Sequence, residues 1–326
     1  MNPINASTEE KEPASPGMPV AGVLFGFSAA VLYTLANLFL RRLSTEVDPF
    51  LVAAMKATFT AMVGWTALAI TARRNRGSGA PVFPPRSGLI ALLLAAIQVQ
   101  LFGGVLVQIA FGTLGMALVV PIYIGSLVAS TAILGAFFLR EPVSVILSIA
   151  LTVIIGSVFL LSMGAGDAHE KMQTGDDNVV SGLSITVGLV AAFTVGIAYA
   201  VLGVTIRGTL KKFKMSQFAP VAIVASTGMV LLGTLAISRG AISALQTMEL
   251  SWIAMMILAG LSNAFAFLCL VRALKLLPVV YVNAINASQV ALSAIVGLTF
   301  FAEPLTWTLA AGLAVMMFGF VLLGKK

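Results

Sequence analysis

Charge is scarce in this sequence, because Asp, Glu, Lys and Arg make up only 10% of its 326 residues. Soluble domains carry about 25% charged residues, since their surfaces face water. Hydrophobic residues account for 59% of the chain, and its mean hydropathy is +1.05. This composition excludes an ordinary soluble domain and indicates an integral membrane protein.

Cysteine and histidine are nearly absent, with one residue of each type. A single cysteine, Cys269, excludes an intrachain disulfide and a cysteine metal cluster, and His169 lies in a polar loop without a ligand set around it. The phosphate-binding pattern GxxxxGK[ST] is missing. No Asp, Glu or His lies within an apolar segment to activate a serine or threonine as a nucleophile. We therefore expect no metal, no cofactor and no enzymatic activity.

Apolar segments long enough to cross a bilayer occur ten times. A helix needs about 20 mostly apolar residues to cross about 30 Å of hydrocarbon, with every backbone group bonded internally. The predicted spans are residues 20–40, 49–70, 88–110, 114–138, 143–163, 181–205, 217–238, 251–273, 279–301 and 304–323. We expect an all-α polytopic membrane protein with ten transmembrane helices.

The basic residues predict how these spans are oriented. With both termini in the cytoplasm, fourteen of the nineteen Lys and Arg lie on the inner side, as the positive-inside rule favours. We expect a multi-pass protein of the inner (plasma) membrane, with a disordered cytoplasmic tail at 1–18 and an acidic outer loop at 164–180. The basic loops RRNR and KKFK are interpreted as topology signals and contacts to membrane lipid, and not as nucleic-acid sites.

An internal repeat relates the two halves of the chain. TAILGAFFLREP at 131–142 aligns without gaps to SAIVGLTFFAEP at 293–304, at an offset of 162 residues and with six of twelve positions identical. The predicted units are 19–163 and 181–326, with five spans each. Because five is odd, the second unit enters the membrane from the opposite side. Inverted repeats of this kind underlie alternating access in carriers.

The Glu-Pro pair after a small-residue-rich fourth helix in each half, Pro121 within span four, and the stretch from Tyr199 to Arg207 in span six carry a family resemblance. With its ten-span pattern, the sequence resembles the EamA-type branch of the drug/metabolite transporter superfamily over about residues 20 to 323. The resemblance implies a carrier that moves small metabolites, often amino acids or related compounds, and frequently outward.

Polar residues near the middle of the spans are candidates for a binding site. Asn283, Asn286 and Gln289 form a stripe on one face of span nine, and Tyr123 and Ser126 form one on span four. Spans four and nine are repeat equivalents, so a central cavity between them is predicted. The further candidates are Tyr33, Asn37, Gln98, Gln100, Gln108, Tyr199 and Asn263. The alternative for each one singly is that it bonds neighbouring helices together.

Charged residues in or near the spans leave two interpretations open. Lys56 is the only clearly intramembrane charge, and it either meets a substrate carboxylate or an outer gate, or extends to the interface. The pairs Glu141-Pro142 and Glu303-Pro304 either cap the helices that they begin or couple transport to a proton gradient.

The function predicted from these patterns is that of a secondary carrier for small polar organic metabolites, with amino acids first and export as the expected direction. Its partners are a small-molecule substrate and membrane lipid, and the chain is a monomer or homodimer. A channel-like pore is the main alternative, and an intramembrane enzyme is a distant third.

Overall fold

The computed structural model describes residues 19–74, 81–140, 145–163 and 182–324. Within these ranges the chain is helical and contains no strand, so the all-α prediction is confirmed. The predicted tail at 1–18, the predicted loop at 164–180, and the pair Glu141-Pro142 lie outside the described residues.

The described helices follow the predicted spans closely. They are α1 Val20–Leu43, α2 Pro49–Arg74, α3 Arg86–Val99, α4 Leu106–Leu114, α5 Met116–Leu134, α6 Val145–Met163, α7 Gly182–Lys212, α8 Ala219–Ser238, α9 Leu250–Leu276, α10 Val279–Asn286, α11 Gln289–Phe300 and α12 Trp307–Gly324. A π-helical segment, Gln100–Val105, joins α3 to α4, and a second one, Gly135–Leu139, extends α5. A short 3₁₀ helix, Ala241–Gln246, precedes α9.

Eight stretches in the described part of the chain are long and apolar enough to cross a membrane, and they correspond to predicted spans one to four and six to nine. The apolar parts of α6 and α12, Ser148–Leu161 and Trp307–Leu322, are shorter. These two helices pack against each other. The protein is therefore a polytopic membrane protein, and the count of ten spans stays a prediction.

Spans six and ten have shifted boundaries, and span nine is interrupted. Span six continues to Lys212 instead of ending at 205, since a helix can extend beyond the hydrocarbon where basic residues favour its C-terminus. Span nine is two helices, because the backbone turns at Ala287 and Ser288. Span ten begins at Trp307 instead of 304, and Leu309 N donates a hydrogen bond of 3.1 Å to the side chain of Thr306 before its first turn.

The contacts between helices keep their pattern when the two halves are exchanged. Span one (α1) packs on span eight (α9), and span six (α7) packs on span three (α3 and α4). Spans two and seven pack on each other, and so do spans five and ten. Such reciprocity is what a pseudo-twofold relation between two five-helix units produces, and the opposite orientation of the two units stays a prediction.

The backbone shows the repeat as well. Arg140 and Ala302 are the two non-glycine residues with positive φ in the described part of the chain, at 52° and 50°. They are 162 residues apart and directly precede the two Glu-Pro pairs. A left-handed conformation is uncommon for residues with a Cβ, so two occurrences at equivalent positions indicate the same turn in each half.

Close helix packing brings the aromatic residues of the two halves together. A Cβ at Gly196 on α7 would lie 2.6 Å from Ser126 Cβ and 2.7 Å from Leu127 N on α5, so only a glycine lets these helices approach this closely. One turn further along α7, the ring of Tyr199 lies 6.2 Å from the ring of Tyr123. The small residue thereby positions two tyrosines at the centre of the molecule.

Gly115, which precedes α5, provides a test of the packing between Glu303 and the start of α5. Its φ is +76°, and a Cβ there would lie 2.6 Å from Glu303 Oε1, in a carboxylate that bonds Met116 N and Ala117 N. We expect Gly115→Ala to destabilise the protein by roughly 1–3 kcal/mol. Gly233→Ala is the matched control, because a Cβ at Gly233 meets nothing within 4 Å. Thermal unfolding of both variants in detergent measures the difference, and equal melting temperatures would contradict the packing.

Candidate substrate-binding site

A cavity of about 120 Å³ lies between the two halves. Its wall includes residues from spans one to four and six to nine, so both repeats contribute to it. The polar lining residues are Tyr33, Asn37, Lys56, Thr60, Gln100, Tyr123, Tyr199, Asn263, Asn283, Asn286 and Gln289. Apolar side chains such as Phe267, Leu270 and Leu202 line the rest.

The break in span nine places two amides on the cavity wall. Asn286 ends α10 and Gln289 begins α11, and the side chain of Gln289 donates a hydrogen bond of 3.1 Å to Asn286 O. Irregular backbone at membrane depth is tolerated where it lines a cavity, because its polar groups find partners there. Broken helices of this kind hold the binding sites of many secondary transporters.

Tyr123 connects three spans across the cavity. Asn37 Nδ2 on α1 donates to Tyr123 Oη at 3.1 Å, and Tyr123 Oη in turn donates to Gln289 Oε1 at 3.3 Å. All three side chains are buried. This chain of hydrogen bonds links spans one, four and nine, so a movement of one span changes the hydrogen bonds of the other two.

Two further asparagines use their amide donors to hold neighbouring helices. Asn283 Nδ2 donates to Thr131 Oγ1 at 2.9 Å, and Asn263 Nδ2 donates to Thr60 Oγ1 at 3.0 Å. Each amide carries a second donor and a carbonyl oxygen with two lone pairs. These asparagines therefore join helices and line the cavity at the same time, and the two interpretations left open by the sequence are compatible.

Lys56 is buried, with 7% of its surface exposed, and it lines the cavity. Its placement follows from α2, on which Ala53, Lys56, Ala57 and Thr60 are all buried against neighbouring helices. The structure therefore differs from the interpretation in which the side chain reaches the membrane interface.

Three predicted site residues lie outside the cavity lining. Gln98 donates to Ala198 O at 2.8 Å, and Ser126 donates to Phe193 O at 2.8 Å, so both bond helix to helix. Gln108 is 1% exposed, and both polar atoms of its side chain lack a partner among the described residues. Nothing in the structure explains that unpaired amide.

Sequence reasoning missed Thr60 and Phe267. Thr60 is one helical turn from Lys56, so the 3.6-residue period could have found it. The apolar members of the lining, such as Leu270, carry no such signal because apolar residues occur on every face of these helices.

Glu303 bonds the two halves together on the side of the molecule where α1 ends and α5 begins. Its carboxylate accepts hydrogen bonds from Met116 N and Ala117 N, both at 2.7 Å, and from Arg41 Nε at 3.0 Å. The Arg41 guanidinium also lies 5.6 Å from the ring centroid of Phe301. Glu303 is thus a helix cap, but the expectation that it caps its own following helix is wrong, because it caps α5 in the other half.

A polytopic helical protein with a central cavity between its two halves, lined by apolar side chains and several polar groups, is similar in architecture to secondary transporters. Residues 186–325 match the model of the EamA-like transporter family. The match covers the second predicted unit, agrees with the resemblance seen in the sequence, and supports a membrane transporter of the drug/metabolite transporter kind.

The comparison with solved structures agrees on the fold. A chain described as "Crystal structure of protein" superposes with a TM-score of 0.60 and 18% sequence identity, covering 93% of this chain and 96% of that chain. At this identity the likeness shows the fold alone. No curated protein matches the sequence.

Cysteine labelling distinguishes the residues that face the cavity from those that bond helices. In a Cys269→Ala background, we expect Asn286→Cys to react with a small methanethiosulfonate reagent many times faster than Gln98→Cys. Mass spectrometry of the purified protein in detergent measures both rates. Equal rates would contradict the assignment of the cavity wall.

Proposed function

We propose that the protein is a secondary carrier for small polar organic metabolites, amino acids first, which it exports across the inner membrane by alternating access. The observation that carries the proposal is the cavity built from equivalent spans of both halves, with amides and tyrosines on its wall. Neutral donors and acceptors of this kind suit the charged ends of a small zwitterion or the polar groups of a related metabolite.

The reciprocal packing of the two halves supports alternating access. Two related units can exchange conformations, so that a state open on one side converts into a state open on the other at similar energy. The hydrogen-bonded chain Asn37, Tyr123 and Gln289 links three of the spans that would have to move. The substrate then competes for groups that also hold these spans together, which couples its binding to their movement.

We further propose that both termini are cytoplasmic, from the distribution of basic residues. Under this orientation, Arg41, Glu303 and the start of α5 lie at the outer end of the cavity. The ion pair and the two backbone hydrogen bonds join the two halves at this end, and in this proposal they hold it closed. Opening outward then requires that Glu303 release α5 or Arg41.

Counterflow tests the carrier. Proteoliposomes loaded with an unlabelled amino acid mixture should transiently accumulate labelled amino acid from outside, because a carrier exchanges one substrate for another. Asn286→Leu and Gln289→Leu should reduce exchange at least tenfold, and Gln98→Leu, the same change outside the cavity, should retain it. Non-saturating uptake without counterflow would identify a channel-like pore instead.

Glu303→Gln tests the outer closure. It removes the charge that pairs with Arg41 and sets an amide NH₂ or its oxygen against the two backbone donors. We expect Leu40→Cys, in a Cys269→Ala background, to react several-fold faster with an impermeant thiol reagent added outside.

Exposed Glu249→Gln is the matched control for Glu303→Gln and should change nothing. Unchanged labelling in Glu303→Gln would contradict the closure. Loss of transport driven by an imposed pH gradient, with labelling unchanged, would assign Glu303 to proton coupling instead.

A further inference from the structure

The cavity wall carries one charged side chain, the ammonium group of Lys56, among the lining residues. Within the described residues this group forms neither an ion pair nor a hydrogen bond, although the backbone oxygen of Lys56 accepts one of 2.8 Å from Thr60. A charge at membrane depth is costly without a partner. The ammonium group is therefore a donor of three hydrogen bonds that the protein itself leaves open to the cavity.

Each described carboxylate either bonds other protein groups or belongs to an exposed residue, and none is part of the cavity lining. Glu303 bonds Arg41 and the start of α5, and Asp48 pairs with Arg239 at 3.4 Å and caps α2 through Phe50 N. The carboxylates of Glu46 and Glu249 belong to exposed residues. The cavity lining thus has a positive charge without a described counter-charge, and its field favours an anion.

The neutral lining groups complement an anion bound at Lys56. Asn263 and Asn283 each use one amide donor on a threonine of another helix, which leaves their carbonyl oxygens available as acceptors. Acceptors of this kind suit an amino or hydroxyl group, but they add no positive charge. A substrate amine alone would meet acceptors and the repulsion of Lys56, whereas a carboxylate meets the only charged donor of the lining.

From this arrangement, and resting on the proposed carrier function, we propose that Lys56 determines substrate specificity by binding the carboxylate of the substrate. The site then takes small organic carboxylates, with or without an amino group, and rejects the corresponding amines. The substrate supplies the counter-charge that the described lining residues lack, so binding relieves an uncompensated buried charge.

A matched panel tests this assignment on the purified full chain. Three sets each have an amino acid, its amide and the amine that lacks the carboxyl group. The leucine set is leucine, leucinamide and isoamylamine, and alanine and phenylalanine give the corresponding series. A fourth set, 4-methylpentanoate and its amide, has no amino group. Binding is measured as the ligand-induced rise in melting temperature and as the apparent Kd from its concentration dependence.

Carboxylates should bind the wild-type protein with an apparent Kd at least tenfold lower than that of the corresponding amides and amines. Lys56→Met should abolish this preference and Lys56→Arg should keep it, because arginine retains the charge. Lys56→Glu should reverse the preference towards the amines, a gain that misfolding does not produce. Lys212→Met, a change of an exposed lysine at the end of α7, is the control and should bind as wild type does.

Amines or amides that bind as well as the carboxylates, or a Lys56→Met variant with unchanged preference, would overturn the role of Lys56. A panel in which no carboxylate binds the wild-type protein would also overturn it. The carrier function is judged separately by counterflow, so exchange without carboxylate preference would remove only the specificity assignment.

Discussion

Hydrocarbon offers no partner to a polar group, and this constraint organises the whole molecule. Every backbone N–H and C=O in a span must be satisfied inside the protein, so the described chain is built from helices. The same constraint turns the amides and tyrosines of the spans inward, where they meet one another around a cavity. The turn between α10 and α11 is tolerated because the side chain of Gln289 bonds the carbonyl oxygen of Asn286 there.

The two halves of the chain contribute equivalent elements to this inward-facing arrangement. Equivalent spans of the two halves exchange partners in the packing, and equivalent residues, Arg140 and Ala302, adopt the same left-handed conformation. The carboxylate of Glu303 then reaches from one half to the first backbone donors of α5 in the other. A contact between halves that is made by a few directional bonds can be broken as a unit, which is the property that a gate requires.

Buried polar groups divide into those that the protein satisfies and those that it leaves available. Asn37, Tyr123 and Gln289 bond one another and hold spans together. Gln98 and Ser126 bond backbone carbonyls of α7 and fasten the two halves. Lys56 differs from all of these because its charged group has no described partner, and the proposed specificity of the cavity rests on that difference.

The sequence by itself determined the helical class and most span boundaries, and it indicated the repeat and the family resemblance, because hydrophobic length, period and the Glu-Pro pairs are local properties of the chain. Of the twelve residues that the sequence marked as binding candidates, nine line the cavity, since a polar residue in an apolar span is stable only where it faces other protein groups or a cavity. Only the tertiary structure decided that Gln98 and Ser126 bond helices, that span nine is broken, and that Glu303 caps α5. The physical reason is that these outcomes depend on which helix lies opposite, and a hydrogen bond between residues 187 positions apart leaves no periodic trace in the sequence.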